Sequence, residues 1–141
     1  MALDLRGMCP LLEVFDMPTS LEFYCDVLGF EKALVDDEKK APNHDWVLLR
    51  RGDIDLMLNT MYERDHRPPQ PEPKRTAAHH DVTLYFAAPD VDAVYEYLKG
   101  RGVAAKPPKV AYYGMKQLYM SDPDNYNLCF QWRAEKPAAA T

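Results

Sequence analysis

The chain has 141 residues, 47% hydrophobic and 28% charged, with a formal net charge of -5 at pH 7. That length supports one hydrophobic core or two small related ones, and the acidic balance, with basic residues scattered apart from pairs such as Lys39-Lys40 and Arg50-Arg51, argues against nucleic acid as a partner, because phosphate binding needs a concentrated basic face. No apolar run approaches the roughly eighteen residues that span a bilayer, and the N-terminus lacks the basic-then-apolar order of a secretory signal, so no membrane is expected and a cytoplasmic location is.

In chain order, residues 8–15 read as a first strand. Asp16 offers a helix N-cap, Pro18 sits in the first turn where its missing N–H is harmless, and Leu21, Tyr24, Cys25 and Leu28 recur with helical spacing up to Gly29, a natural stop. Residues 30–35 form a predicted second strand, and the charged stretch 36–43 a solvated loop. Strands over 46–50 and 54–58 follow, with Arg51-Gly52-Asp53 as the hairpin turn. From Met61 to His79 prolines interrupt every periodicity, which predicts an extended linker. His44 and His66 fall in predicted loops and are expected in solvent. Cys9, Cys25 and Cys129 form no Cys-x-x-Cys pair and are read as reduced thiols.

The order then repeats: a strand over 82–86, a helix capped by Asp90 with Val91, Val94, Tyr95 and Leu98 on one face and Gly102 at its end, a strand over 103–110, and a final hairpin turned at Asp122-Pro123-Asp124-Asn125. Gly29 and Gly102 stand 73 residues apart, as do Gly52 and Asn125, and Trp46 and Tyr119. One offset for three landmarks points to internal duplication. The expected organisation is a first module over 1–60, a linker over 61–79, a second module over 80–134 and a frayed tail over 135–141.

Two motifs bracket this duplication: Leu11-Leu12-Glu13-Val14-Phe15-Asp16 running into Phe23-Tyr24-Cys25-Asp26-Val27-Leu28-Gly29-Phe30, and Tyr113-Gly114 followed by a strand, Asp122-Pro123-Asp124-Asn125-Tyr126-Asn127 and another strand. Together they resemble the glyoxalase, bleomycin-resistance and extradiol dioxygenase proteins of the vicinal oxygen chelate superfamily. The resemblance implies an α+β fold of two βαβββ modules whose mixed sheets curl into an incomplete barrel around a cleft. A small domain of this kind commonly pairs with a second copy, and a homodimer is expected.

In metal-using members the resemblance places ligands on the first and last strands of each module, a His, Gln or Glu early and a Glu late, holding a divalent ion with positions open for two substrate oxygens. Carried over position by position, these places fall at Cys9, Leu56, His80 or Asp81, and Cys129. A leucine cannot ligate, and two thiols suit a softer ion. The expected function is therefore binding or sequestration of a small organic molecule without a catalytic metal or other cofactor, like the bleomycin-resistance branch, whose Pro-x-Leu opening is matched by Pro10-Leu11-Leu12. The alternative is a metal-dependent lyase or isomerase, or an extradiol-type dioxygenase, with a divalent metal and His80 or Asp81 as ligand.

Residue by residue, Glu13 shares a strand face with Cys9 and Leu11 and is the candidate catalytic or ligand-binding carboxylate. Tyr113 and Tyr119, on the final hairpin, are candidate ligand contacts, because tyrosine offers a ring for stacking and a hydroxyl for hydrogen bonding. Cys9 and Cys129 would face the same cleft. Asn59, Thr83, Tyr85 and Gln131 add polar contacts if the strand register turns them inward. The pair His79-His80 reads as an exposed loop.

Overall fold

In the computed structural model, residues 2–135 are described, and the frayed tail expected from the sequence lies, apart from Glu135, outside them. The chain divides into two compact units, residues 1–70 and 71–141. Each contains a four-stranded mixed sheet with the same topology, so the fold is α+β with two βαβββ modules, and neither sheet closes into a barrel.

In the first unit the strands are β1 (Leu11–Val14), β2 (Glu31–Val35), β3 (Trp46–Arg51) and β4 (Ile54–Thr60), in the order β1-β4-β3-β2. β1 runs parallel to β4, and the other pairs are antiparallel. Helix α1 (Met17–Leu21) starts as expected: Asp16 is its N-cap and accepts from the Thr19 N–H, satisfying a donor the first turn leaves orphaned. It continues as a π-helical stretch, Glu22–Val27, with Leu28 N–H bonded to the Phe23 carbonyl at 3.0 Å. This wider turn brings Phe23, outside the predicted apolar stripe, into the core beside Tyr24, the rings edge to face at 4.9 Å. Gly29 ends the helix at φ 81°, where a side chain would be strained.

Strand alternation assigns the faces. Leu12, Val14, Val47, Leu49, Leu56 and Leu58 are buried and face the helix. Leu11, Glu13, Trp46, Leu48, Met57 and Asn59 occupy the helix-free face, with Glu13 paired to Asn59 across the β1–β4 ladder.

His44, expected in solvent just after the charged loop over 36–43, departs from that expectation. His44 is fully buried. The Asp36 carboxylate accepts from the backbone N–H groups of Asp37 and Asp45 and lies 3.0 Å from His44 Nδ1. A single carboxylate thus closes the loop and pulls the imidazole beneath it, leaving His44 Nε2 buried with no hydrogen-bond partner. His66 is exposed, as expected.

In the second unit the strands are β5 (Thr83–Ala87), β6 (Lys109–Val110), β7 (Met115–Ser121) and β8 (Asn127–Arg133), in the order β5-β8-β7-β6, and α3 (Val91–Gly100) begins at its Asp90 cap. The predicted strand over 103–110 shrinks to Lys109–Val110, because Pro107 and Pro108 carry no N–H for a ladder. Leu118, Met120, Leu128 and Phe130 are buried with Val91 and Leu98 of α3.

The proline-rich stretch also differs from an extended linker. Arg67 reaches back to the Asp16 carboxylate at 2.8 Å and lies over the Phe15 ring at 4.7 Å. Helix α2 (Pro73–Ala78) forms where no periodicity predicted one, with Pro73 in its first turn, where proline fits. It leads into a 3-10 turn over His79–Asp81. His79, expected in an exposed loop, stacks on Tyr126 with ring centroids 4.2 Å apart, and its Nδ1–H donates to the Asp124 carbonyl at 2.8 Å. Asn125 donates to the Thr76 carbonyl at 3.0 Å. The segment is thereby docked on the final hairpin turn.

Candidate functional site

The helix-free face of the second sheet carries Thr83 and Tyr85 from β5, Asn127, Cys129 and Gln131 from β8, and Gln117 and Tyr119 from β7, placed together by the strand register. Five of these side chains, Tyr85, Gln117, Tyr119, Cys129 and Gln131, form one hydrogen-bonded cluster with Tyr113, and Thr83 and Asn127 form a separate pair. Gln117 Nε2 donates to Tyr113 Oη at 2.8 Å and to Gln131 Oε1 at 2.9 Å, and Gln117 Oε1 accepts from Tyr119 Oη at 3.4 Å. Tyr119 also bonds to Tyr85 and to the Cys129 thiol. Asn127 Nδ2 donates to Thr83 Oγ1 at 3.0 Å. The Tyr85 bond, burial and the neighbouring thiol together push the Tyr119 phenol well above its ordinary range. Burial likewise raises the Cys129 thiol, against an opposing effect of the Tyr119 hydrogen bond. Both groups are protonated and neutral at physiological pH.

Tyr113 stands just before β7, on a turn that Gly114 closes at φ 89°. Its ring is more than half exposed and lies edge to face with Tyr112 at 5.0 Å. The face therefore offers exposed aromatic surface at Tyr85 and Tyr113 above a floor of neutral amides and hydroxyls. Sequence reasoning picked out Tyr113, Tyr119 and Cys129 and weighed Tyr85 and Gln131. It missed Gln117, the residue that ties the cluster together, although two-residue alternation from Tyr119 places Gln117 on the same face.

Glu13 and Cys9 belong to the first unit. Asn59 Nδ2 lies 3.3 and 3.5 Å from the two Glu13 oxygens, a loose amide clamp on a half-buried carboxylate. Burial, followed by the nearby Asp55 carboxylate, raises the Cys9 thiol, which disfavours the thiolate needed by a nucleophile or ligand.

The positions carried over for a metal do not form a donor set. Leu56 faces the helix side of its sheet and is buried there. The physical reason is the face on which each hairpin closes its first pair. The first paired residue after each turn lies two positions on, Ile54 from Gly52 and Asn127 from Asn125, but Ile54 shares its face with the buried Leu56 and Leu58 whereas Asn127 shares the helix-free face with Cys129 and Gln131. An equal count from the turn therefore lands on opposite faces, Leu56 opposite Leu49 and Cys129 opposite Tyr119. His80 and Asp81 are exposed on their 3-10 turn. His80 lines a groove of about 650 Å³ together with Lys106, Tyr119 and Asn127. Among the described residues, no three His, Cys, Asp or Glu side chains are gathered as a metal-holding group.

Duplicated βαβββ modules, each with one helix-covered and one helix-free sheet face, define a class of small α+β proteins. Residues 10–130 match the model of the Glyoxalase/Bleomycin resistance protein/Dioxygenase superfamily, and the chain belongs to that family. The uncharacterized protein YaeR of Escherichia coli (strain K12) is 30% identical over 115 residues, covering 80% of this chain and 84% of YaeR. Among solved structures, the bleomycin-binding protein of Streptomyces verticillus, in complex with copper(II)-bleomycin, is similar at TM-score 0.65 and 23% identity, over 96% of this chain and 100% of that one. A glyoxalase/bleomycin resistance protein/dioxygenase from Nocardioides is similar at TM-score 0.69 and 18% identity, over 99% and 93% of the two chains. At those identities the structural likeness is one of fold.

Proposed function

We propose that this protein binds a small organic molecule on the helix-free face of its second sheet, sequestering it without a catalytic metal, as a cytoplasmic homodimer. The observation that carries the reading is the cluster joining Tyr113, Gln117, Gln131, Tyr119, Tyr85 and Cys129. Aromatic rings over a small set of oriented polar groups are what a planar ligand needs for stacking and for orientation. The fold shared with a bleomycin-binding protein supports the same reading, and the residues at the metal positions do not favour the lyase, isomerase or dioxygenase alternative.

Isothermal titration of bleomycin and of a panel of aromatic compounds into the purified protein tests it. A ligand should bind, and Tyr113→Ala should weaken it at least tenfold while the melting temperature of the free protein changes little. Absence of heat for every compound would count against binding on this face. Proton transfer by Glu13 is a second reading, supported by the Asn59 clamp on its carboxylate.

A further inference from the structure

Resting on that reading, we infer that Gln117 is a positioning residue of the site: it does not touch the ligand, and it holds the Tyr113 ring where the ligand meets it. Tyr113 is 57% exposed and Gln117 only 8%, so the ring reaches solvent while the amide lies buried. Two tethers fix Tyr113, one at each end. At the backbone end, Gly114 takes φ 89° and its N–H donates to the Ala111 carbonyl at 2.9 Å, while the Ala134 N–H donates to the Gly114 carbonyl at 2.9 Å and ties the turn to the end of β8. At the ring end, Tyr113 Oη lies 2.8 Å from Gln117 Nε2, four residues further along the chain. Its aromatic neighbour Tyr112 is itself fully exposed and gives the ring little support. Without the hydroxyl bond, the side-chain torsions of Tyr113 could move among their staggered wells.

Gln117 serves as an anchor because it is itself fixed. It stands opposite Gln131 in the β7–β8 ladder, their side-chain amides bond at 2.9 Å, and Tyr119, two residues on along the same strand face, reaches the other end of the Gln117 amide at 3.4 Å. The anchoring holds whichever end of that amide carries the nitrogen, since a phenol both donates and accepts and Gln131 can present either end of its own amide. A ring held in place beforehand meets a planar partner without the loss of rotamer freedom that a loose ring would suffer on binding.

The test is a double-variant cycle on the full-length protein with 2-acetylnaphthalene, a neutral planar probe. Gln117→Met keeps the length of the side chain and removes its polar end; Tyr113→Phe keeps the ring and removes its hydroxyl. Gln117→Met should weaken the probe about threefold to tenfold, the cost of ordering one side chain on binding, and that loss should vanish in the Tyr113→Phe background, because the two residues act through one bond. In the ligand-free protein, NMR relaxation of the Tyr113 ring carbons should report an ordered ring that becomes mobile in Gln117→Met. Unchanged probe affinity in Gln117→Met, an undiminished loss in the Tyr113→Phe background, or a Tyr113 ring equally ordered with and without Gln117 overturns the inference while leaving small-molecule binding in place. If 2-acetylnaphthalene does not bind the parent protein, a compound of the aromatic panel that does bind takes its place in the same cycle. If the probe and the whole panel are silent, the binding reading fails and the inference falls with it.

Discussion

Asp36 shows how one side chain sets a loop. Burial alone would raise its carboxyl, but the N–H groups of Asp45 and Asp37, the His44 ring and the Lys40 ammonium outweigh it and hold the carboxyl at about 2, below its ordinary 3.8. A group whose folded pKa is depressed contributes stability above its unfolded pKa and loses it as pH falls through the folded one. The melting temperature of the parent protein should therefore exceed that of Asp36→Asn at pH 7, and the gap should close between about pH 4 and pH 2. A gap independent of pH would show that the carboxylate charge is not what closes the loop. At Glu13, exchange for Gln keeps the shape and removes the charge. If proton transfer by Glu13 is the activity, Glu13→Gln should abolish turnover and leave affinity for ligands of the second unit unchanged; unchanged turnover in that variant would remove the role.

Among the elements, the ends of α1 are the most exposed to test. Asp16 accepts from both the N–H and the hydroxyl of Thr19 and is held by Arg67, and Asp16→Ala should cost about 1 kcal/mol, as loss of an N-cap typically does, measured by urea denaturation. At the other end, Gly29 sits at φ 81°, and a Cβ there would stand 2.5 Å from Arg51 Nη1. Gly29→Ala should destabilise by roughly 1–2 kcal/mol through the left-handed backbone. Since the Arg51 head is the far end of a flexible chain, most of that loss should persist when Arg51→Ala is added. Full recovery in the double variant would place the cost in the clash and not in the backbone. Much of this was legible beforehand: Asp16, Pro18, Gly29, Asp90 and Gly102 act within one helical turn of where they stand, so caps and stops can be read from neighbours alone. The π-helical turn, which brings Phe23 into the core, could not be read that way, because the helical stripe of Leu21, Tyr24, Cys25 and Leu28 assumes a uniform 3.6-residue period.

For the molecule as a whole, the duplication that the 73-residue offset suggested reappears as two sheets of identical topology, with positive φ at both turn residues, Gly52 and Asn125. The homodimer remains a proposal, and sedimentation of the purified protein should give twice the chain mass of 16.2 kDa; a monomer across the micromolar range would contradict it. A bound ligand should stabilise the folded state by about 2.7 kcal/mol at a hundredfold excess over Kd, visible as a concentration-dependent rise in melting temperature.

Local patterns carried the architecture. Strand alternation, cap residues, turn chemistry and the repeat offset are each set by a few neighbouring residues, and together they placed Glu13 with Leu11 on one strand face and Tyr119 on the final hairpin. Tertiary structure decided which residues meet. The face on which each hairpin closes put Leu56 and Cys129 on opposite sides of their sheets, a carboxylate buried His44 under a charged loop, and the stacking of His79 on Tyr126 tied the end of the proline-rich stretch to the final hairpin turn. Each of these depends on groups distant in sequence competing for the same hydrogen bond or the same buried surface, and a linear pattern contains no term for that competition.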